Sequence, residues 1–146
     1  MNDVPQRIAQ SFGAQGLMAT LGARLEKVEA GEVHIALPFS SALSQQHGYA
    51  HAGSITSVVD SACGYAALTR APSACHEVVT AEFKVNFMRP AIGLRFLAVG
   101  RVVNAGRTMA VCTGEVRAFA SEGDEDYKVV ALMQATMVFV ATQTQG

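Results

Sequence analysis

Residues 45–69 restrict the possible folds of this chain more than any other stretch. They begin with a glycine-punctuated loop that carries two histidines, His47 and His51. Apolar residues then recur at three- and four-residue spacing, which indicates a helix with one buried face. The residues of this apolar stripe are Ile55, Val58, Val59, Ala62, Ala66 and Thr69.

The opposite side of the predicted helix carries no charge. An ordinary surface helix would have lysine or glutamate there, so we expect this helix to be covered on most sides. The residues on that side are Ser57, Ser61, Gly64 and Leu68. Within 53–69 the only ionisable carboxylate is Asp60, at the flank of the apolar stripe. Burying a carboxylate is unfavourable unless it is hydrogen-bonded, paired or used in chemistry, so Asp60 is the first candidate functional residue.

The composition predicts one globular domain over residues 1–146. Hydrophobic residues make up 50% of the chain, charged residues make up 16%, and the net charge is −1. A chain of 146 residues is long enough for a substantial core. This balance argues against disorder and against a nucleic-acid-binding protein, which would usually be strongly basic. The low charge also favours an oligomer that buries part of the surface.

Neither a membrane span nor a secretory signal is predicted. The segment 1–10 lacks a basic stretch followed by an apolar run. The most apolar segment, 129–141, is short and is interrupted by polar residues. The three cysteines are odd in number and widely spaced, which fits no disulfide framework or zinc motif and favours a cytoplasmic location.

Alternation of apolar and polar residues predicts six strands around the central helix. Their ranges are 19–29, 32–38, 77–89, 94–104, 107–119 and 127–141. A short helix is expected at 4–12, with Pro5 in its first turn. Short turns join the last four strands and favour antiparallel neighbours. The predicted fold class is therefore α+β, with a six-stranded antiparallel sheet wrapped around one long central helix.

Two of the predicted strands have informative faces. At 77–89, Val79 and Phe83 fall on an apolar face and Thr80 falls on the opposite, mostly polar face, as in a half-buried antiparallel strand. At 107–119, one face consists of small residues, which would let a helix approach closely. These small residues are Ala110, Cys112, Gly114, Val116 and Ala118.

The element order and one motif resemble the hotdog-fold acyl-CoA thioesterases, in particular the phenylacetate-pathway branch. In that family an asparagine is followed by a glycine, then by His-Gly-Gly, and then by an aspartate nine positions after the histidine. The aligned residues here are Gln45, Gly48, His51, Ala52, Gly53 and Asp60. Downstream, Thr80 matches a serine or threonine at the start of a strand, and Pro90 and Ala91 match a Pro-Ala pair at its end. The resemblance covers residues 15–141.

The resemblance implies an acyl-CoA thioesterase, which hydrolyses a thioester to a carboxylic acid and free coenzyme A. Asp60 would act as general base or nucleophile, and the Ala52 N–H would stabilise the oxyanion at the helix N-terminus. Thr80 would orient the attacking water, although threonine is also an ordinary strand residue. Coenzyme A is part of the substrate, so no separate cofactor is expected. In this family the site lies at a dimer interface, which implies a homodimer or homotetramer.

Five further predictions concern residues near the motif. His51 is interpreted first as a residue that orients the loop by hydrogen bonding, and second as a proton-transfer group. Gln45 takes the place of the family asparagine, whose role would be to position the thioester. Gly53, Arg89 and Arg107 are predicted to contact coenzyme A, the arginines through its phosphates.

Two other site chemistries fit the sequence less well. His47, His51 and Asp60 could bind a metal, but Gly48 breaks helical spacing between the histidines, and no metal site is predicted. Cys63 has no evident cationic neighbour, so we interpret it as a core thiol and not as a nucleophile.

Two alternative functions are left open by the sequence. A non-catalytic module that senses acyl-CoA is one, because hotdog domains also serve as ligand-binding regulators, although no DNA-binding segment accompanies the predicted domain. A hydratase or dehydratase acting on a thioester is the other, although such relatives carry a different signature. The expected partners are the acyl-CoA substrate and further copies of this chain, and neither nucleic acid nor a membrane.

Overall fold

The computed structural model describes residues 3–142. The predicted domain over 1–146 therefore reaches beyond the described residues at both ends, at 1–2 and at 143–146. Three α-helices are described: α1 (Val4–Ala14), α2 (Gly16–Leu21) and α3 (Ala52–Leu68). The six strands are β1 (Arg24–Glu29), β2 (Glu32–Pro38), β3 (His76–Phe87), β4 (Arg95–Ala105), β5 (Met109–Phe119) and β6 (Lys128–Ala141).

The strands form one antiparallel sheet in the order β1-β2-β4-β5-β6-β3. α3 packs against β2, β4, β5, β6 and β3, so the sheet wraps around this helix. The predicted stripe is buried at Ile55, Val58, Val59, Ala62 and Ala66. The predicted fold class, an α+β wrap of six antiparallel strands around one long helix, is confirmed.

Two glycines let the helix lie directly on the sheet. Gly100 of β4 pairs with Gly114 of β5. A Cβ atom on Gly100 would lie 2.4 Å from the Ala62 carbonyl carbon, and one on Gly114 would lie 2.5 Å from Val59 Cγ2. The predicted close approach of a helix to the small-residue face is therefore confirmed, and all five small residues of that face are buried.

β3 contains a β-bulge that changes which side chains face the helix. Its register against β6 shifts between Thr80 and Glu82, which leaves Ala81 as an extra residue. Since one extra residue reverses the alternation, Thr80 and Phe83 lie on the same side, towards α3. Val79 points away, with 53% of its surface exposed. The prediction that placed Val79 with Phe83 and opposite Thr80 is wrong for this reason.

The first strand is shorter than predicted. β1 begins at Arg24 and not at residue 19, because α2 occupies the preceding segment and ends at Gly22. Gly22 has a φ of +75°, the left-handed conformation that commonly ends a helix. Met18 of α2 is 1% exposed, so the apolar residues of this segment belong to a helix and not to a strand. The predicted N-terminal helix is confirmed, with Pro5 in its first turn.

The two edge strands of the sheet differ in character. β1 has six residues, four of them charged, and such an edge discourages pairing with another strand. β3 has twelve residues and exposes Val79, Phe83 and Phe87 by 53%, 41% and 44%. Its free side has no strand partner among residues 3–142. A long edge with exposed apolar side chains is a template for pairing with another chain.

Candidate active site

The loop before α3 is shaped by the Gln45 side chain. The Gln45 Oε1 atom accepts hydrogen bonds from the backbone N–H groups of His47 (2.6 Å) and Tyr49 (3.1 Å). The Gln45 N–H donates to the Tyr49 carbonyl at 2.8 Å. Gly48 has a φ of +87°, which glycine adopts without strain. Gln45 and Gly48 thus fix a tight turn that leads into the helix.

The first turn of α3 carries an unpaired backbone donor. His51 is the N-cap, and its Nδ1 atom accepts from the Gly53 N–H at 2.7 Å. The Ser54 and Ile55 N–H groups donate to the His51 carbonyl at 3.0 and 3.3 Å. Within the described residues, the exposed Ala52 N–H has no acceptor. The positive end of the helix dipole therefore presents one free N–H at Ala52.

A shallow hollow opens at this end of the helix. The Ala50 N–H donates to the Ala91 carbonyl at 3.0 Å, which ties the loop to the turn after β3. The hollow has a volume of about 170 Å³, and its lining includes Gln45, Ala52 and Arg89. The structure thus brings together three of the predicted site residues. Gly53 and His51 adjoin them but are already hydrogen-bonded to each other.

Asp60 lies on the side of α3 that faces β3. The Thr80 hydroxyl donates to Asp60 Oδ1 at 2.8 Å. Thr80 Oγ1 also lies 3.4 Å from the sulfur of Met137, on the neighbouring strand β6. The contact between Asp60 and Thr80 exists because the bulge at Ala81 turns Thr80 towards the helix. These two predicted site residues are therefore neighbours.

The electrostatic environment of Asp60 differs from that of an ordinary surface carboxylate. Burial raises the pKa of the Asp60 carboxyl above its usual value, and the hydrogen bond from Thr80 partly offsets that rise. No lysine or arginine forms an ion pair with Asp60 among residues 3–142. A half-buried carboxylate without a cationic partner is typical of a general base or nucleophile.

The two buried cysteines also have raised pKa values. Burial raises the pKa of the Cys63 thiol far above its usual range, and burial raises the pKa of Cys112 to about 11. Both groups are therefore neutral thiols at physiological pH. These values agree with the interpretation of Cys63 as a core residue.

A cleft of about 270 Å³ opens beside Asp60, between α3, β3 and α1. Arg7 holds α1 in this position, because its guanidinium donates to the His76 carbonyl and to Glu77 Oε1, the latter at 2.9 Å. No sequence pattern predicts that α1 lines the cleft, since that contact arises only from tertiary packing. The lining residues are Ser11, Gln15, Asp60, Ser61, Gly64, Tyr65, Leu68, Glu77, Val78 and Thr80.

Asp60 and the Ala52 N–H do not meet within one copy of the chain. They are eight positions apart on α3, which corresponds to about 12 Å along the helix axis. Asp60 opens into the cleft beside α1, whereas Ala52 opens into the hollow beside Arg89. One thioester carbonyl cannot touch both groups of the same copy.

The two arginines predicted to hold phosphates are also separated. Arg89 follows the C-terminal end of β3. Arg107 lies in the β4–β5 hairpin, and the strand pairing places that hairpin at the end of the sheet that contains Thr80. Nine strand residues at about 3.3 Å each put the two ends roughly 30 Å apart. In one copy, a single phosphate cannot contact both.

Residues 3–142 contain neither a metal-binding cluster nor a helix that could span a membrane. No three or more His, Cys, Asp or Glu side chains converge there as a metal site would require. None of the helices in that range is both long and apolar enough to cross a membrane. The roles assigned to individual site residues, and the expectation that no metal takes part, stay predictions.

Comparisons with known proteins identify the family of this chain. Residues 47–123 match the family model described as the thioesterase superfamily. A crystal structure of a thioesterase family protein from Silicibacter pomeroyi is 42% identical, with a TM-score of 0.89, and the alignment covers 95% of this chain and 99% of that one. A protein of Saccharolobus solfataricus with a provisional esterase name is 27% identical over 100% of this chain and 99% of its own length.

A solved structure with lower sequence identity has the same fold. The PaaI protein from the phenylacetic acid degradation operon of E. coli is 19% identical, with a TM-score of 0.82. That alignment covers 97% of this chain and 96% of that one, and the likeness extends to the fold alone. With a family model that spans more than half of the sequence, the chain belongs to the thioesterase superfamily and is a thioester hydrolase by class.

Proposed function

We propose that the protein is an acyl-CoA thioesterase whose active site combines Asp60 of one copy with the helix N-terminus of a second copy. The observation that supports this most directly is the pair of groups on α3. One is a half-buried carboxylate without a cationic partner, and the other is an unpaired N–H at Ala52. Ester hydrolysis requires both kinds of group, a base or nucleophile and an oxyanion donor.

The Ala52 N–H is suited to the electrophilic part of the reaction. It opens a helix of 17 residues, so the aligned peptide dipoles place partial positive charge there. A thioester carbonyl oxygen bound at Ala52 would gain negative charge as the tetrahedral intermediate forms, and the N–H would stabilise it. His51 would keep the helix start in place through its bond to Gly53, and Gln45 would keep the loop in place.

Asp60 would supply the attacking oxygen or activate the water that does. As a base, it takes a proton from water, the hydroxide oxygen adds to the carbonyl carbon, and the C–S bond breaks to release the thiolate of coenzyme A. As a nucleophile, its carboxylate adds to the carbonyl carbon, the C–S bond breaks to release the thiolate of coenzyme A, and water then hydrolyses the mixed anhydride. Thr80 donates to Oδ1, which leaves Oδ2 available to water or to the substrate. Both routes give a carboxylic acid and free coenzyme A.

A second copy joined along β3 would complete the site. Two identical edge strands related by a twofold axis run antiparallel, so the end of β3 near Ala52 in one copy lies beside the end near Thr80 in the other. This arrangement covers the exposed side chains of Val79, Phe83 and Phe87. It also brings Arg89 of one copy towards Arg107 of the other, where both can contact the phosphates of one coenzyme A.

The sensing module remains the rival function, and one assay separates the two. Purified protein is incubated with aryl, short-chain and long-chain acyl-CoAs, and free thiol is measured. We expect turnover in the wild type, a loss of at least about a hundredfold in Asp60→Asn, and a loss of about a hundredfold or more in Ala52→Pro. Thioesters that bind without being cleaved would favour the sensor.

Ala52→Pro removes the N–H and puts a ring carbon in its place, while the start of the helix is kept. Proline is well tolerated at the first position of a helix, where the N–H makes no helical bond. His51 has φ −64° and ψ 138°, the extended conformation that a residue before proline prefers. Thermal unfolding should therefore stay close to the wild type. A folded Ala52→Pro variant with undiminished turnover would remove Ala52 from the mechanism.

A further inference from the structure

Helix α1, which lines the Asp60 cleft, is attached to the rest of the protein by few buried side chains. Ile8 is the one buried residue among the eleven of α1, whereas nine of the seventeen residues of α3 are buried. Segments with few buried apolar side chains are the ones that open locally in native proteins. Separating α1 from the body of the protein therefore requires less free energy than separating α3.

A partly exposed ion pair ties the first half of α1 to β3. The Arg7 guanidinium donates to the His76 carbonyl and to Glu77 Oε1, the latter at 2.9 Å. The side chains of Arg7 and Glu77 are 25% and 54% exposed, so salt in the solvent weakens the attraction between them. We call these two contacts of Arg7 the latch.

Hydrogen bonds tie the second half of α1, and the residue that follows it, to α3. The Tyr65 hydroxyl lies 3.0 Å from Ser11 Oγ and accepts from Gln15 Nε2 at 2.8 Å. Ser11, Gln15 and Tyr65 all line the Asp60 cleft, so α1 forms one of its walls. The cleft has a volume of about 270 Å³ with α1 in this position, and moving α1 outwards would enlarge it.

The junction between α1 and α2 has the features of a hinge. Gln15 joins the two helices with φ −76° and ψ 109°, an extended conformation. Gly13 and Gly16 flank it, and a Cβ atom on either would meet no atom within 4 Å, so the backbone has room to rotate there. α2 is itself held in place, because Met18 is 1% exposed. A rotation at Gln15 would therefore move α1 and leave α2 where it is.

We propose that α1 is a hinged lid on the Asp60 cleft. With the latch bound, the lid is closed and the cleft holds a short acyl group. When the latch releases, α1 rotates at Gln15 and opens the cleft to acyl groups larger than about 270 Å³. The role in admitting acyl groups rests on the proposed thioesterase function, whereas the motion of the lid does not.

Hydrogen exchange measures the opening of the lid in the folded protein. An isolated helix of eleven residues is marginal in water, so the amides of residues 8–14 exchange once α1 leaves the body of the protein. In Arg7→Met these amides should exchange at least about tenfold faster than in the wild type, because charge-assisted hydrogen bonds are lost. Raised salt should also speed their exchange in the wild type, and the amides of α3 should not change.

Two further variants separate the lid from general effects of substitution. Arg101→Met is the matched control, because it removes an ion pair with Glu32 that lies outside the cleft. Its α1 amides should exchange at the wild-type rate. Gly13→Ala combined with Gly16→Ala leaves the hinge fewer conformations, so exchange of the α1 amides should be slower by roughly threefold or more.

A comparison of a long and a short thioester tests whether the lid admits the acyl group. The apparent affinity for a substrate that binds only the open form is proportional to the population of that form. The ratio of kcat/KM for decanoyl-CoA to kcat/KM for propionyl-CoA should therefore rise in Arg7→Met by the same factor as the exchange rate of α1. Arg101→Met should keep the wild-type ratio, and the double glycine variant should have a lower one.

The outcomes separate the lid from the proposed function. Exchange of α1 that is the same in Arg7→Met and the wild type would overturn the lid. Faster exchange with an unchanged kcat/KM ratio would overturn its role in admitting acyl groups and leave the thioesterase function standing. If neither thioester is cleaved, the proposed function fails, and calorimetry of decanoyl-CoA binding replaces turnover. An affinity about tenfold higher in Arg7→Met would then support the lid, and equal affinities would overturn its role.

Discussion

At the scale of single residues, the hydrogen bond from Thr80 to Asp60 influences the pKa of the candidate catalytic carboxyl. Burial disfavours the ionised form of Asp60, and the hydroxyl of Thr80 favours it. A carboxylate held between these two influences is more basic than a surface aspartate. The pKa of Asp60 therefore depends on a strand residue that approaches the helix only because of a bulge.

The first prediction concerns the pH dependence of hydrolysis in Thr80→Val. The hydrogen bond from Thr80 lowers the pKa of Asp60, so its removal raises that pKa further. Since hydrolysis needs the ionised carboxylate, kcat/KM falls as the pH drops through this pKa. The acidic limb of the pH profile should therefore move to higher pH, and the loss of activity should be larger at pH 5 than at pH 8.

A matched control for that prediction lies on the outer face of the sheet. Thr136 donates to the Glu82 carboxylate, so Thr136→Val also removes a bond from threonine to a carboxylate. Its pH profile should match that of the wild type. Acidic limbs that coincide in Thr80→Val and the wild type would show that Asp60 does not set the pH dependence.

At the scale of elements, α3 packs directly on the sheet because the two glycines that face it have no side chain. Gly100 and Gly114 face the helix as a cross-strand pair, and the backbone of Ala62 occupies the space that a side chain on Gly100 would need. Gly64, on the same helix, faces open space instead. Alanine can therefore replace Gly64 within α3, but it cannot replace Gly100 or Gly114, against which the helix packs.

The second prediction uses this difference to test the packing. Gly100→Ala and Gly114→Ala should each reduce the free energy of unfolding by at least about 2 kcal/mol, because the added methyl group would overlap the helix. Gly64→Ala should raise it by about 0.5–1 kcal/mol, because alanine loses less backbone entropy in a helix. Urea unfolding measures all three. Equal stabilities would mean that α3 does not lie as close to the sheet as described.

At the scale of the whole molecule, the two proposed catalytic groups, Asp60 and the Ala52 N–H, do not meet within one copy. The carboxylate and the free N–H of α3 are about 12 Å apart along the axis, and they open into different cavities. The exposed apolar edge of β3 provides the surface through which two copies would bring the groups together. Pairing of edges and activity are therefore expected to depend on each other.

The third prediction is that two inactive variants restore activity when mixed. Consider a dimer of one Asp60→Asn copy and one Ala52→Pro copy. One of its two sites combines both substituted residues, and the other combines the unchanged Asp60 with the unchanged Ala52 N–H. Random reassortment makes half of the dimers mixed, so about a quarter of wild-type turnover should return. Thiol release after unfolding and refolding the variants together measures this recovery.

As the control, the two variants are refolded in separate samples and then mixed in the cold. This mixture should stay inactive as long as the subunits do not exchange. No recovery after joint refolding, with dimers present by analytical ultracentrifugation, would mean that each copy holds its own complete site.

Several features of the protein followed from the sequence alone because they depend on local periodicity. The spacing of Ile55, Val58 and Ala62 was enough to identify α3, and the small-residue face of 107–119 was enough to predict close helix packing. Asp60 could be singled out because a lone carboxylate in an apolar helix is unfavourable without a role. Helical and strand patterns act over a few residues, so they can be read without the fold.

Other features were decided only by the tertiary structure. The bulge at Ala81, which turns Thr80 towards Asp60, is a register shift between two strands, and strict alternation in the sequence hides it. Ser11 and Gln15 contact Tyr65 of α3 across roughly fifty positions of chain, and no local pattern encodes such a contact. Contacts between distant segments depend on how whole elements pack, so the sequence determined the elements and the packing determined the site.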